Sequence, residues 1–378
     1  MLDFIEAELE DLKSQNLYRT LRTISRSDGR LIDIDGKQYL NFCSNNYLGL
    51  SNHPKVIEAA QIACKEFGAG AGASRLISGN LSIHEDLEKK IAKFKGREAA
   101  MVFPTGYMAN LGTISSLVDE NDTVIIDRLN HTSIIDACRL SKAKLQVYPH
   151  KDMAALEKIL KRSTKFKKRL IVTDSVFSMD GDIAPLPEIA QLAKKYDAIT
   201  MIDEAHATGV LGKTGRGAEE HFGIEGQIDV IMGTLSKAVG SLGGFVAGSE
   251  SLIDYLRNKA RSFIYTTALP PASCAASIAA LEIIENEPEL IENLRMNSRL
   301  LGSETPIIPI IIGDLNKTME ISAKLFEKGI LASGIRPPTV PKNECRIRLT
   351  VTALHTKEDI ECLVSSLPEP IPAAAKPI

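Results

Sequence analysis

The alternation of short apolar runs with amphipathic segments, between residues 99 and 247, is the feature that most constrains the fold. Continuous Val- and Ile-rich runs are typical of parallel strands that are buried on both faces. The amphipathic segments between them are typical of crossover helices. The pattern therefore predicts a three-layer α/β domain around a mostly parallel sheet. The predicted strands are residues 99–103, 123–127, 144–148, 169–173, 198–203, 230–233 and 245–247, and two clear helices are 152–161 and 186–196.

The pattern changes after the pair Pro270-Pro271. A long helix, two strands and two further helices predict a smaller α+β domain at the C-terminal end. These elements are predicted at residues 272–299, 306–312, 318–328, 345–351 and 356–366. The predicted organisation is an N-terminal segment (1–45), a large α/β domain (46–271), a small domain (272–367) and a disordered Pro/Ala-rich tail (368–378).

Composition excludes several classes of function. The chain has 378 residues, with 45 basic and 48 acidic side chains, so its charge does not indicate binding to nucleic acid or to an anionic membrane. No apolar run approaches the roughly 18–20 residues that cross a bilayer. The first ten residues lack the pattern of an export or transit peptide, which predicts a cytoplasmic protein. The six cysteines show no metal-ligand spacing, so we expect reduced thiols and no metal.

Asp203 and Lys237 are separated by about the length of one strand–helix–strand crossover. Both side chains are therefore expected at the same rim of the parallel sheet. A lysine and an aspartate held there can bind pyridoxal phosphate (PLP) at both ends of its ring. The lysine forms a Schiff base with the aldehyde, and the aspartate keeps the ring nitrogen protonated. Taken alone, each residue could equally be a surface lysine or an ordinary strand-end aspartate.

Further candidates follow other predicted strands. Gly106 opens a helix whose free N–H groups would suit a phosphate, and the Thr234 hydroxyl could reach the same group. Tyr107 is either a core residue or a cofactor contact. His131 could lie against a flat ring, although a polar loop residue is the alternative. Ser178 follows a neighbouring strand, and His206 lies three residues after Asp203. Either side chain could bind the phenolic oxygen of the ring.

Several motifs resemble those of the α-oxoamine synthases, fold-type I PLP enzymes that join an amino acid to an acyl thioester with loss of carbon dioxide. The motifs are residues 203–209 (DEAHATG), 234–237 (TLSK), 177–182 (FSMDGD) and 41–50 (NFCSNNYLGL). The resemblance covers about residues 19–363. One stretch departs from the family pattern, because only residues 300–305 separate the long helix from the next strand.

The resemblance implies a role for each matching position. Lys237 resembles the Schiff-base lysine, Asp203 the partner of the pyridine nitrogen, and His131 the histidine that stacks on the ring and orients the substrate. Gly106, Tyr107, Ser178, His206 and Thr234 match positions that hold the cofactor. The family implies a homodimer with shared active sites. The segment that would reach the phosphate of a neighbouring subunit is Thr266-Thr267.

The C-terminal domain contains candidate substrate residues. Arg348 resembles the arginine that binds the amino-acid carboxylate, because a planar guanidinium suits a carboxylate better than lysine does. Arg336, with Thr339 in the same stretch, resembles members that use a pimeloyl thioester, whose distal carboxylate a cation could bind. Arg19 matches another substrate contact. A plain surface charge remains the alternative for Arg336 and Arg19.

The resemblance therefore implies condensation of L-alanine with pimeloyl-CoA, or with the acyl-carrier-protein thioester, in biotin synthesis. Two alternatives remain open. One is the same chemistry with glycine and acetyl-CoA. The other is a catalytically inert subunit of a heterodimeric synthase, against which the presence of Lys237, Asp203 and His131 argues.

Overall fold

The structure, a computed structural model, describes residues 2–368. Elements are numbered along the chain. The strands are β1 (Arg26–Ser27), β2 (Leu31–Ile34), β3 (Lys37–Asn41), β4 (Ala99–Phe103), β5 (Thr123–Asp127), β6 (Lys144–Tyr148), β7 (Arg169–Asp174), β8 (Ile199–Asp203), β9 (Val230–Thr234), β10 (Gly244–Gly248), β11 (Ile307–Gly313), β12 (Ile330–Leu331), β13 (Ser333–Ile335) and β14 (Cys345–Thr350). The α-helices are α1 (Phe4–Ser14), α2 (Pro54–Phe67), α3 (Ser82–Lys95), α4 (Gly106–Leu117), α5 (Thr132–Ser141), α6 (Met153–Arg162), α7 (Leu186–Lys195), α8 (Ala218–Phe222), α9 (Glu250–Lys259), α10 (Arg261–Ile264), α11 (Pro271–Asn286), α12 (Glu289–Leu300), α13 (Leu315–Glu327) and α14 (Lys357–Ser366).

The described chain divides into two compact units. The larger unit comprises residues 46–178 and 182–292, and the smaller unit comprises residues 2–45, 179–181 and 293–368. The large unit contains a seven-stranded sheet in the order β4-β10-β9-β8-β7-β5-β6. Strand β10 is antiparallel to both of its neighbours, and the remaining pairs, from β9 through β6, are parallel. The fold prediction of a mostly parallel α/β sheet is confirmed.

Except at the edge strand β6, where Val147 is 47% exposed, both faces of this sheet are buried, as its continuous apolar strands predict. Alternate residues of each strand contribute to a core shared with helices α4, α5, α9 and α10. The residues between them point to the opposite face and are also buried, as at Val102, Ile171 and Ile231. The seven predicted strands match the observed strands to within one residue at each end, because buried parallel strands leave a continuous apolar signal.

The other unit contains two small sheets. Strands β1, β2, β3 and β12 form one, in that order, and β11, β14 and β13 form the other. Helices α13 and α14 pack on a core that includes Phe42, Ile347 and Leu349. This is the small α+β architecture expected for the C-terminal region. Strand β3, from the N-terminal part of the chain, also belongs to this unit, because it pairs in parallel with β12.

Three predicted boundaries differ from those observed by more than one residue. Helix α13 begins at Leu315, three residues before its predicted start at residue 318. The single helix predicted over residues 272–299 is two helices, α11 and α12, with the break at Glu287-Pro288. Proline lacks an N–H group and disfavours helical geometry in the residue before it, so the helix stops there. The predicted domain boundary at residue 272 also differs from the observed division, since α11 packs on α2 and α3 and belongs to the large unit.

The short connection between α12 and β11 is a compact turn. The amides of Leu301 and Ser303 donate to the carbonyl of Ser298, and Leu301 is fully buried. The Thr305 hydroxyl donates to the carbonyl of Gly181 at 2.6 Å. The departure from the family pattern at residues 300–305 is therefore accommodated by local hydrogen bonds. Of the tail predicted to be disordered, residues 369–378 lie outside the described residues. Within residues 2–368, no helix combines the length and apolarity needed to cross a membrane.

His355 gives the small unit a pH-dependent stability. Its ring is 4% exposed and stacks on Phe42 at 4.3 Å between centroids, and Nδ1 accepts from the N–H of Thr352 at 3.0 Å. Burial, the largest cause, lowers the pKa of His355 to about 4 from an ordinary 6.5. Because the unfolded chain gains the proton first, the contribution is complete above pH 6.5 and is lost as the pH falls toward 4.

We expect His355→Asn to be less stable than the wild type at pH 7, because asparagine cannot replace the stacked ring. Its unfolding free energy should, however, fall by about 2 kcal/mol less than that of the wild type between pH 7 and pH 5. Urea unfolding at the two pH values measures both quantities. Equal losses in the two proteins would show that His355 does not contribute to the acid sensitivity.

Candidate active site

A cavity of about 240 Å³ lies at the edge of the large unit's sheet where the parallel strands end. Strands β8 and β9 end at Asp203 and Thr234, and the segments after β4 and β5 reach the same edge. Side chains that are distant in sequence therefore meet there, as parallel strands predict. The lining residues are Thr105, Gly106, Tyr107, Asn110, His131, Ser133, Asp174, Asp203, Ala205, His206, Met232, Thr234, Ser236 and Lys237.

The Asp203 carboxylate is buried in this cavity, with 3% of the residue exposed. Its Oδ1 accepts from the N–H of Ala205 at 2.8 Å, and its Oδ2 accepts from Nδ2 of Asn110 at 2.8 Å. A buried carboxylate is tolerated when it is hydrogen-bonded in this way. Two donors on different elements hold the group in one orientation, available to a cation in the cavity.

Lys237 belongs to a second chain of contacts. Its Nζ lies 2.7 Å from Nε2 of His206, and Nδ1 of the same ring lies 2.6 Å from the hydroxyl of Tyr47. An ammonium group can only donate, so with Lys237 protonated His206 accepts through Nε2 and donates from Nδ1 to Tyr47. Tyr47 is fully buried. The lysine amine is therefore positioned by a ring that is itself anchored in the core.

His131 precedes α5 and forms its N-terminal cap, because Nδ1 accepts from the N–H of Ser133 at 3.3 Å. Its own N–H donates to Oδ2 of Asp174 at 2.8 Å. Burial, the largest cause, lowers the pKa of His131. Asp174 pairs in register with Asp203 on the neighbouring strand, and burial together with that carboxylate raises the pKa of Asp174 well above its usual range. The imidazole thus forms a wall of the cavity with both its ring and its backbone held.

The N-terminus of α4 forms another wall. Thr105 caps this helix by accepting the N–H of Met108 at 3.1 Å, and Gly106 opens it. The first N–H groups of a helix have no partner within it and favour an anion. The Thr234 hydroxyl lies beside them, 2.7 Å from that of Ser236.

Gly244 allows this close approach. A Cβ at Gly244 would lie 2.6 Å from the Cα of Gly106 and 2.6 Å from the carbonyl oxygen of Thr105. Real Cβ atoms do not approach backbone so closely, so the start of β10 must be glycine for α4 to begin where it does. Gly244 therefore permits close packing of two backbone segments at this wall of the cavity.

The donor set of the cavity fits PLP. One buried carboxylate is available for a ring nitrogen, one primary amine for an aldehyde, one imidazole for a ring face, and a helix N-terminus with two hydroxyls for a phosphate. The structure brings seven of the predicted site residues to this cavity. They are Gly106, Tyr107, His131, Asp203, His206, Thr234 and Lys237. Tyr107 is also bonded elsewhere, because its hydroxyl donates to Asp136.

Other predicted residues lie apart from this lining set. Ser178, Thr266 and Thr267 belong to the large unit but are not among the described residues that line the cavity. Arg19, Arg336, Thr339 and Arg348 belong to the other unit. There, Nη2 of Arg336 donates to the carbonyl of Tyr18 at 2.8 Å, and Arg19 donates to the carbonyl of Pro337 at 3.3 Å. Nη2 of Arg348 donates to Oδ1 of Asn45 at 3.4 Å.

Two lining residues, Asn110 and Ser133, and Tyr47, which supports His206 from outside the lining set, were not predicted from the sequence. Asn110 lies one helical turn after Gly106, Ser133 lies two residues after His131, and Tyr47 lies within the 41–50 motif. Their proximity to singled-out residues was the available signal. A further buried pair adjoins the site, since Glu204 forms an ion pair with Lys95 in which both side chains are 1% exposed.

Comparison with known proteins identifies the family. The model of the family "Aminotransferase class I and II" matches residues 37–367. The chain is 50% identical to the 8-amino-7-oxononanoate synthase of Thermoanaerobacter pseudethanolicus, covering 97% of this chain and 96% of that protein. It is 52% identical to the protein of that name from Citrifermentans bemidjiense, covering 94% of each.

A solved structure supports the same assignment. The serine palmitoyltransferase of S. paucimobilis with bound PLP and myriocin superposes with a TM-score of 0.92 at 32% identity, over 97% of this chain and 96% of that one. The predicted resemblance is therefore confirmed. The chain belongs to the class I and II aminotransferase family and, within it, to the α-oxoamine synthases of fold type I, among which it is most like 8-amino-7-oxononanoate synthase.

Proposed function

We propose that the chain uses PLP to condense L-alanine with a pimeloyl thioester, with loss of carbon dioxide, giving 8-amino-7-oxononanoate for biotin synthesis. The observation that carries this proposal is the meeting of Lys237, Asp203 and His131 in one cavity, in a chain about 50% identical to synthases of that name over nearly its full length. The thioester is that of CoA or of an acyl carrier protein.

When bound, PLP supplies a positively charged ring that accepts the electrons left by a departing α-proton. The carboxylate of Asp203 would stabilise the proton on the ring nitrogen, because its two hydrogen bonds hold it in one orientation in a buried site. Nζ of Lys237 would hold the aldehyde group of the cofactor. With alanine bound, the same amine would act as the general base for the α-proton of the substrate.

The histidines orient these groups. His206 bonds Nζ of Lys237 at 2.7 Å and so directs the amine into the cavity. His131 would lie on the face of the cofactor ring and orient the substrate. Ser178 would join His206 at the phenolic oxygen of the ring. Tyr107 is proposed as a further cofactor contact beside Gly106 and would keep its bond to Asp136.

The N-terminus of α4 and Thr234 would hold the cofactor phosphate. We also propose a homodimer with shared active sites, in which Thr266 and Thr267 would contact the phosphate held by the partner subunit. Thr267 is exposed and Thr266 half-buried in the single chain, so both are accessible to such a contact. If the donor is a carrier-protein thioester, acyl carrier protein is a further partner.

The arginines of the other unit are proposed to bind the substrate carboxylates. Arg348 is 7% exposed on β14, where a guanidinium needs anionic or polar partners, and it would bind the alanine carboxylate. Arg336 would bind the distal carboxylate of the pimeloyl chain. Its Nε is buried without a hydrogen-bond partner, which leaves a donor for such an anion. Arg19 and Thr339 are proposed as neighbouring substrate contacts.

We expect Gly244→Ala to weaken PLP binding strongly, because the added Cβ must displace the backbone at Gly106 and thus the start of α4. A change of two orders of magnitude or more in affinity, about 3 kcal/mol, is the expected size. Visible absorbance during PLP titration measures it. The matched control is Gly70→Ala, whose Cβ would have no atom within 4 Å. Equal affinity in the two variants would contradict the backbone role of Gly244.

The function is tested by a thiol-release assay in which alanine and glycine are each combined with pimeloyl-CoA and acetyl-CoA. We expect turnover with alanine and pimeloyl-CoA to exceed the other combinations, and Lys237→Ala to be inactive with all of them because the amine is lost. Turnover with glycine and acetyl-CoA alone would reassign the chain to glycine C-acetyltransferase. If the wild type failed in every combination and also with alanine and the pimeloyl thioester of acyl carrier protein, an inert subunit would be indicated.

Arg336→Ala should selectively impair use of the pimeloyl donor. A charge-assisted hydrogen bond contributes roughly 1.5–3 kcal/mol, so kcat/KM for pimeloyl thioester should fall about 10- to 150-fold. Alanine binding, followed by the visible spectrum, should barely change, because its carboxylate is assigned to Arg348. Arg336→Lys keeps the charge and should lose less. Comparable losses for alanine and the thioester would show a general structural role.

A further inference from the structure

Two residues without an assigned role connect the Asp203 carboxylate to the His131 ring. Nδ2 of Asn110 donates to Oδ2 of Asp203 at 2.8 Å and to Oγ of Ser133 at 2.9 Å. The Ser133 hydroxyl lies 2.7 Å from Nδ1 of His131. Asn110 and Ser133 are both fully buried. A continuous hydrogen-bonded chain therefore joins two residues that line the proposed cofactor site.

The direction of each hydrogen bond in this chain follows from its end. A carboxylate accepts, so the amide nitrogen of Asn110, and not its oxygen, must face Asp203. That nitrogen carries two hydrogens, and the second is directed to the oxygen of Ser133. Because the Ser133 oxygen accepts there, its own hydrogen is available for the neighbouring Nδ1 of His131. The donors of the chain are thus fixed. Asn110 donates to Asp203 and to Ser133, and Ser133 donates to His131.

Nδ1 of His131 consequently receives two donors, the hydroxyl and the backbone N–H of Ser133. A ring nitrogen that accepts hydrogen bonds carries no proton, and a neutral imidazole then carries it on the other nitrogen. We propose that Asn110 and Ser133 are positioning residues that hold His131 neutral, with its proton on Nε2. His131 then donates from Nε2 to an oxygen of the bound substrate and does not act as a base there.

The other charged groups near His131 act in opposing directions. The carboxylates of Asp203 and Asp136 favour a protonated ring, whereas Lys237 and burial disfavour it. Asp174 accepts from the backbone N–H of His131. Protonation of Nδ1 would require the Ser133 hydroxyl to turn away, leaving its hydrogen without an acceptor in a buried site. The hydroxyl therefore adds a specific cost to protonation that the surrounding charges do not impose.

The proposal is tested by ¹⁵N NMR of protein labelled at histidine, with PLP bound and again after its removal. His131 is assigned by the signal lost in His131→Asn. In the wild type we expect the proton on Nε2 over the neutral range. In Ser133→Ala the titration midpoint of His131 should rise by about 0.5 to 1 pH unit, the effect of losing one hydrogen bond to the neutral ring.

A double-mutant cycle tests the connection through Asn110. In the wild-type background, Asn110→Ala should raise the titration midpoint of His131, but by less than Ser133→Ala does. In the Ser133→Ala background, Asn110→Ala should cause no further change in that midpoint. Matched controls are Ser141→Ala, a buried serine of α5 that donates to the carbonyl of Cys138, and Thr113→Val, an isosteric change one turn along α4. Both should leave the midpoint unchanged.

Three results would overturn the proposal: a proton on Nδ1 in the wild type, an unchanged midpoint in Ser133→Ala, or equal effects of Asn110→Ala in both backgrounds. The role toward substrate rests on the proposed function. Its signature is an acid limb of the kcat profile that moves up in Ser133→Ala, moves up less in Asn110→Ala, and does not move in the two control variants. The NMR titration does not depend on turnover. Its result would therefore still test the role of Asn110 and Ser133 if the proposed reaction were not observed.

Discussion

The buried carboxylate of Asp203 is the constraint on which the arrangement of the site depends. An ionised group that loses water costs several kcal/mol unless donors replace the lost solvation. Here the donors are the Ala205 amide and Asn110. The next residue, Glu204, solves the same problem separately through Lys95, Ala218 and the Thr208 hydroxyl, which places two buried acids side by side in one dipeptide. One acid remains available to a ligand cation, and the other is committed to the protein.

The parallel sheet makes this arrangement possible. Its strands end at a common edge, so residues separated by a hundred positions meet without long loops. Asn110 reaches Asp203 from α4, and Tyr47 holds the histidine that holds Lys237. Asp203 and Lys237 are thus each supported by a partner on a different element. The positions of these side chains therefore depend on the packing of the whole large unit and not on the conformation of a single loop.

The strands and the sheet class could be predicted because continuous apolar runs are visible in the sequence. Asp203 and Lys237 could be paired because their spacing matches one strand–helix–strand crossover, and the family could be predicted from its short motifs. The break at Pro288 was missed because helix-forming residues lie on both sides of it. Assignment of α11 to the large unit depends on long-range packing against α2 and α3, which no local pattern records. Asn110, Ser133 and Tyr47 were missed for a similar reason. Their roles arise from contacts made through the fold, and such residue types are common in cores and caps.

The reversed strand β10 has a consequence for how the cofactor site can change. Because β10 runs against its neighbours, it begins at the edge where they end, and its first residue places bare main chain against the start of α4. This part of the pocket is bounded by peptide groups and by glycine, which has no side chain to shorten. A point substitution there can make the pocket smaller but cannot make it larger. Divergence toward other substrates is therefore confined to the walls built from side chains. A redesign that seeks a larger or differently shaped cofactor would have to move an entire helix.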